Sequence, residues 1–80
     1  MRLTLLSRTY CHLCHDMEQQ VRVQLPAAWS LEVVDIDQHP ALEEQYDERV
    51  PVLLAGESEV FHHFFDAVRW QSLLKRSGIS

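Results

Sequence analysis

Residues 2–36 contain two short apolar runs with a helix-period stretch between them, and few folds accommodate that order. The first run is "RLTLLS" (2–7) and the second is "SLEVVDI" (30–36), rich in β-branched residues. Both read as buried strands. Between them Leu13, Met17, Val21 and Leu25 recur every four residues, with Cys14 on the adjoining row. That spacing predicts an amphipathic helix from Cys11 to about Leu25, ended by Pro26. Strand, helix and strand joined this closely imply a βαβ unit with parallel strands and a right-handed crossover.

The rest of the chain supplies elements that can close such a unit. "DQHPALEEQYD" predicts a short helix opening at Pro40, with Asp37 or His39 ahead of it and Leu42 and Tyr46 on a common face. "VPVLLA" (50–55) and "EVFHHFF" (59–65) flank the turn "GES" (56–58) and read as an antiparallel hairpin. Asp66 is placed to N-cap a last helix with Ala67, Trp70, Leu73 and Leu74 on one face. Gly78 ends that helix, and Lys75 and Arg76 in its last turn suit the helix dipole. The expected order is β-α-β-α-β-β-α, in one domain over residues 1–80.

Composition narrows the function classes. At 46% hydrophobic the chain is too apolar for a disordered segment. A net charge of −5 without a Lys/Arg run argues against nucleic acid and anionic membranes as partners. The opening "MRLTLLSRTY" is too short and too soon broken for a signal peptide, and no run approaches a membrane span. A cytoplasmic location is therefore expected, where thiols stay reduced and a close cysteine pair is catalytic or metal-binding more often than structural. A disulfide across so short a loop adds little stability in any case.

Both cysteines lie in "TYCHLCHDM" (9–17). Cys11 and Cys14 are three apart at the first turn of a helix, so their side chains share a face and can close a disulfide. Cys11, at or before the helix N-terminus, meets free backbone N–H groups that stabilise a thiolate and is the expected nucleophile. Cys14, one turn in and nearer the core, is the expected resolving thiol. His12, between them, adds positive charge beside Cys11 when protonated, and Arg8 ahead of the turn acts in the same sense. Asp16 and Glu18 oppose both. Thr9 and Tyr10 form the turn that delivers Cys11 to the surface, which puts Tyr10 beside an incoming substrate.

A metal site is a second reading of "CHLCH". Consecutive residues point in different directions, so at most two or three of these groups converge on one ion. The remaining ligands would come from His39, His62 and His63, since no second cysteine pair exists.

The strand, the "CHLC" (11–14) opening a helix, the second strand, and "VPVLL" (50–54) starting a hairpin together resemble a glutaredoxin-like member of the thioredoxin superfamily. "VVDID…P.L…Y" across residues 33–46 adds to the match more weakly. The resemblance spans essentially the whole chain and implies a thioredoxin-like α/β fold of the glutaredoxin-type minimal core, a four-stranded mixed sheet flanked by helices. It implies that Pro51 is cis and packs against the cysteines, and that the Val50 backbone pairs with an extended substrate. Glutathione, where bound in that family, is held by a basic residue before the cysteines, by the Val-Pro backbone, and by the turn opening the last helix. Arg8, Val50, Pro51 and Asp66 occupy the matching positions, and Arg49, beside Val50, is suited to a carboxylate. Two departures stand out: Phe64 and Phe65 precede Asp66 where glycines are usual, and His12-Leu13 replaces the usual Pro-Tyr.

The function expected is thiol-disulfide oxidation or reduction by a dithiol mechanism. The substrates are disulfide-containing proteins or glutathione mixed disulfides. No cofactor is expected to be bound, glutathione is a candidate reductant, and the protein is expected to be a monomer. Two alternatives differ in class: a protein-binding module of the same fold with idle cysteines, and a metal or cluster protein using the cysteine pair, which could be shared between two subunits.

Overall fold

The computed structural model describes residues 1–78; the last two positions of the expected 1–80 domain lie outside the described residues. Its elements are β1 (Arg2–Ser7), α1 (His12–Gln24), β2 (Ser30–Asp35), a 3-10 turn (Ile36–Gln38), α2 (Pro40–Tyr46), β3 (Val52–Ala55), β4 (Ser58–His62) and α3 (Ala67–Arg76). The four strands form one mixed sheet in the order β2-β1-β3-β4. β1 runs parallel to β2 and antiparallel to β3, and β3 pairs antiparallel with β4.

Strand alternation sends side chains to both faces of the sheet. Leu3 and Leu5 of β1 join Met17 and Val21 of α1, Leu53 of β3, and Trp70 and Leu73 of α3 in the main core. Trp70 is fully buried and meets Trp29 edge-on, with ring centroids 6.1 Å apart. Leu6 points the other way. With Ile36 and Val52 it forms a smaller core covered by Leu42 and Tyr46 of α2. Helices α1 and α3 therefore pack on one face and α2 on the other.

The observed ends differ from the sequence expectations in instructive ways. Cys11 is the N-cap of α1 with extended backbone, so the helix proper starts at His12. Pro40 occupies the first turn of α2 behind His39, and a 3-10 turn capped by Asp35 precedes it. The third strand begins at Val52, because Pro51 lies in a bend with the Val50–Pro51 bond cis. The expected strand over 59–65 stops at His62. Leu53 pairs with Phe61 and Leu54 with Glu59, which leaves Val60 as the extra residue of a β-bulge. The bulge lets the adjacent Val60 and Phe61 both enter the main core, which strict alternation forbids. Ala67, expected on the buried face of the last helix, is exposed. The hairpin turns through Gly56 and Glu57, with Gly56 at φ 65°.

Candidate functional site

The C-terminal end of β1 carries the site. Antiparallel pairing sets Leu6 opposite Val52, so Pro51 comes level with Ser7. Val52 in turn faces His62, and the His63 N–H donates to Pro51 O at 2.8 Å. The cysteine turn, Pro51 and the bend after β4 therefore share one end of the sheet.

Cys11 and Cys14 are joined by a disulfide, with Cα atoms 5.2 Å apart. The two sulfurs sit in different surroundings. Cys14 is 2% exposed, whereas Cys11 is partly exposed at the helix start. The Cys14 backbone N–H donates to Cys11 Sγ at 3.1 Å, so the sulfur takes the place an Asp or Ser oxygen fills in an ordinary N-cap. The turn itself is held by Cys11 N–H donating to Arg8 O at 3.3 Å. Tyr10 projects fully into solvent beside it.

The charged candidates have partners. The Arg8 guanidinium donates from Nε to the Asp37 carboxylate at 3.0 Å, from Nη1 to Asp47 O at 3.2 Å, and from Nη2 to the Asp47 carboxylate. Donation to the Asp47 carboxylate, and to a lesser extent donation to Asp37 and the charges of both carboxylates, raise its pKa above the ordinary arginine value. Arg8 thus ties the turn before the cysteines to the segments flanking α2, and its charge is offset by two carboxylates. His12 has its side chain 88% exposed and its ring nitrogen 3.4 Å from the Asp16 carboxylate. Arg49 pairs with Glu59 and lies over the Tyr46 ring, 6.0 Å from its centroid. Val50 is half-buried against the smaller core, and its N–H donates to Tyr46 O at 3.3 Å. Asp66 caps α3 by accepting from the Arg69 N–H at 3.1 Å.

The bend after β4 separates Phe64 from Phe65. The backbone turns at His63, whose φ of 66° is the left-handed value that favours glycine. Phe64 N–H donates to His62 O across that residue, at 2.8 Å. His63 Nε2–H donates to Glu48 O at 2.8 Å, which fastens the bend to the segment leading into Val50. Phe65 consequently turns inward against Phe61 and Trp70, while Phe64 is left 68% exposed.

Beside the disulfide lies a 260 Å³ cleft whose walls include Ser7, Thr9, Cys14, His15, Glu18 and Asp35. Thr9 Oγ1–H donates to Asp35 at 2.8 Å, and the other Asp35 oxygen accepts from the Asp37 N–H at 2.9 Å. Sequence reasoning gave Asp35 and Asp47 no site role, and gave Thr9, Asp37 and His63 other roles: a turn residue, a residue ahead of α2 and a candidate metal ligand. Thr9, Asp35 and Asp37 carried a readable signal for the site, since polar groups at and just after the C-terminal ends of adjacent parallel strands flank the crevice where ligands bind in such sheets. No group of three or more metal-ligating side chains able to hold an ion occurs among the described residues, so His39, His62 and His63 do not complete a metal site with the cysteines. No helix among them is long and apolar enough to cross a membrane.

A four-stranded mixed sheet between three helices, with a C-x-x-C pair at the N-terminus of the helix after its first strand, defines a thioredoxin-like fold. Within it the chain belongs to the glutaredoxin-like domain family (DUF836), whose model matches residues 2–75. Two similar solved structures are each 36% identical. Protein Ne2328 from Nitrosomonas europaea has a TM-score of 0.78, covering 90% of this chain and 88% of that one. XcR50 from X. campestris has a TM-score of 0.72, covering 92% and 96%. The glutaredoxin-like protein NrdH-redoxin from Escherichia coli, 24% identical, shares the fold at a TM-score of 0.65 over 89% of this chain and 93% of that one. No curated protein matches the chain.

Proposed function

We propose that this protein is a thiol-disulfide oxidoreductase working by a dithiol mechanism, with Cys11 as nucleophile and Cys14 as resolving thiol. The observation that carries the reading is the asymmetry of the pair. Cys11 is reachable and receives the Cys14 N–H at the start of α1, whereas Cys14 is buried behind it. Backbone N–H groups and the helix macrodipole at that end favour a thiolate on Cys11, the reactive form of the thiol.

In the reducing direction the Cys11 thiolate attacks one sulfur of a substrate disulfide. The Cys11–substrate S–S bond forms as the substrate S–S bond breaks, and the departing thiolate takes up a proton. Cys14 then loses its proton and attacks Cys11 Sγ, which closes the Cys11–Cys14 bond and releases the second substrate thiol. Two electrons pass from the dithiol to the substrate. Tyr10, Val50 and Pro51 flank the entering disulfide in this reading, with the Val50–Pro51 backbone available to an extended segment. Glutathione is the small thiol to test as the donor that reopens the disulfide. His12 acts on Cys11 only as far as the Asp16 carboxylate leaves its charge uncompensated.

The test is the rate of alkylation of reduced protein as a function of pH, followed separately for each cysteine by mass spectrometry. Cys11 is expected to titrate below the free-thiol value of about 8.5, with Cys14 unreactive over the same range. An ordinary titration for Cys11 would remove the proposal's foundation.

A further inference from the structure

We infer that the redox end of this molecule selects polypeptide disulfides flanked by cationic residues and disfavours anionic thiol partners such as glutathione mixed disulfides. This rests on the oxidoreductase reading above and adds to it the charge class of the substrate.

The argument starts from where the cations are. Of the seven Lys and Arg residues, Arg8, Arg22, Arg49 and Arg69 are each held by a carboxylate: Arg8 by Asp37 and Asp47, and the others by Glu18, Glu59 and Asp66. The other three form no ion pair among the described residues, and they lie away from the disulfide. Arg2 opens β1, five residues from the site end at Ser7, or roughly 17 Å along the strand. Lys75 and Arg76 close α3, a helix of 10 residues that starts beside the site and spans about 15 Å. At physiological ionic strength the Debye length is about 8 Å, so these charges are largely screened from the disulfide.

Around the disulfide the balance is negative. Arg8 is one cation between two carboxylates. Asp35, in the wall of the cleft that both cysteines line, has hydrogen bonds on both oxygens but no cation among the described residues. Asp16 faces only an exposed His12. Arg8 holds both flanks of α2 through Asp37 and Asp47, and Glu48 O accepts from His63 beside Pro51, so Glu43, Glu44 and Glu48 lie on the segment next to the site; all three are exposed and form no ion pair among the described residues. An anionic substrate therefore finds no unengaged guanidinium or ammonium among the described residues at this end, and its carboxylates meet like charge. Glutathione carries two carboxylates and one ammonium. A cationic peptide meets a field of opposite sign that raises its local concentration and its encounter rate.

Single-turnover reduction by the dithiol form separates the outcomes. Two synthetic peptide disulfides of one sequence are compared, with Lys or Glu at the flanking positions, alongside oxidised glutathione. At low ionic strength the Lys-flanked peptide is expected to react about tenfold or more faster than the Glu-flanked one. The ratio should fall toward one in about 0.5 M salt as screening shortens the field. Glu43→Gln, Glu44→Gln and Glu48→Gln combined are expected to shrink the low-salt ratio several-fold, an effect that a general loss of folded protein does not produce, since it slows both peptides alike. Equal rates at low salt, or a faster Glu-flanked peptide, overturn the charge selectivity and leave the oxidoreductase reading in place. Reduction of neither peptide and no glutathione turnover overturns both.

Discussion

The backbone N–H of Cys14 donates to Cys11 Sγ at 3.1 Å, although Cys14 itself is buried and Cys11 is not. One helix turn therefore makes the two thiols unequal: it directs a donor at the outer sulfur and hides the inner one. Cys14→Ser should leave the first attack intact and block the second. The expected result is a Cys11 mixed disulfide that accumulates with a model disulfide substrate and is visible by intact mass. Cys11→Ser should form none.

Arg8 joins residues 29 and 39 positions away. Arg8→Ala leaves the Asp37 and Asp47 carboxylates without their shared cation, so the denaturation midpoint should fall and the difference should narrow at high salt. Arg8→Lys should recover only part of it, because an ammonium cannot span both carboxylates as a guanidinium fork does. The pKa of Arg8 is raised by Asp47 and Asp37, so its contribution is fully present below the ordinary arginine value and is lost only as pH rises past it. Between about pH 5 and 9 the protonation of Arg8 itself should add no slope to a stability–pH curve.

His63 holds a left-handed conformation and also donates its ring N–H to Glu48 O. His63→Gly removes the conformational cost but loses the ring contact, whereas His63→Ala keeps the cost and loses the contact. The Ala variant should be the less stable by about 1 kcal/mol in urea unfolding, in line with the left-handed penalty for a residue bearing Cβ.

Asp66 was expected both to cap the last helix and to contact substrate. Its carboxylate accepts from the Arg69 N–H at 3.1 Å, a cap that Ala cannot make and Asn can. Asp66→Ala should lose about 1 kcal/mol of stability and Asp66→Asn much less. A change in KM shared by both variants would report the charge rather than the cap.

Trp70 is fully buried between Trp29 and Phe65, and its Nε1–H has no partner among the described residues. Trp70→Ala should cost about 3–5 kcal/mol, a large part of the stability of a domain this size. Trp70→Phe keeps most of the ring contact and removes the unpaired donor, so its loss should be well below that of the Ala variant, measured by urea unfolding followed by far-UV circular dichroism.

The order of elements was legible in the chain because short-range physics sets it. The four-residue row from Leu13 to Leu25 predicted α1, though the buried face runs through Cys14, Met17 and Val21 while Leu13 is exposed and Leu25 is the C-cap; Pro26 ends the helix, Asp66 caps α3, and Gly78 with φ 81° closes it. The unequal cysteines were legible for the same reason: three residues and one helix start are enough to distinguish them. The end of β4 was not, because the bulge at Val60 exists to bring two adjacent residues into one core, and a period of two in the sequence cannot register an inserted residue. The fate of Arg8 was not legible either. A guanidinium ahead of the cysteines reads as a free charge until folding brings Asp37 and Asp47 to it. The sequence by itself determined which residues form the cysteine turn. The tertiary structure decided that the arginines around it are already engaged, since only folding brings carboxylates from distant segments within hydrogen-bond reach.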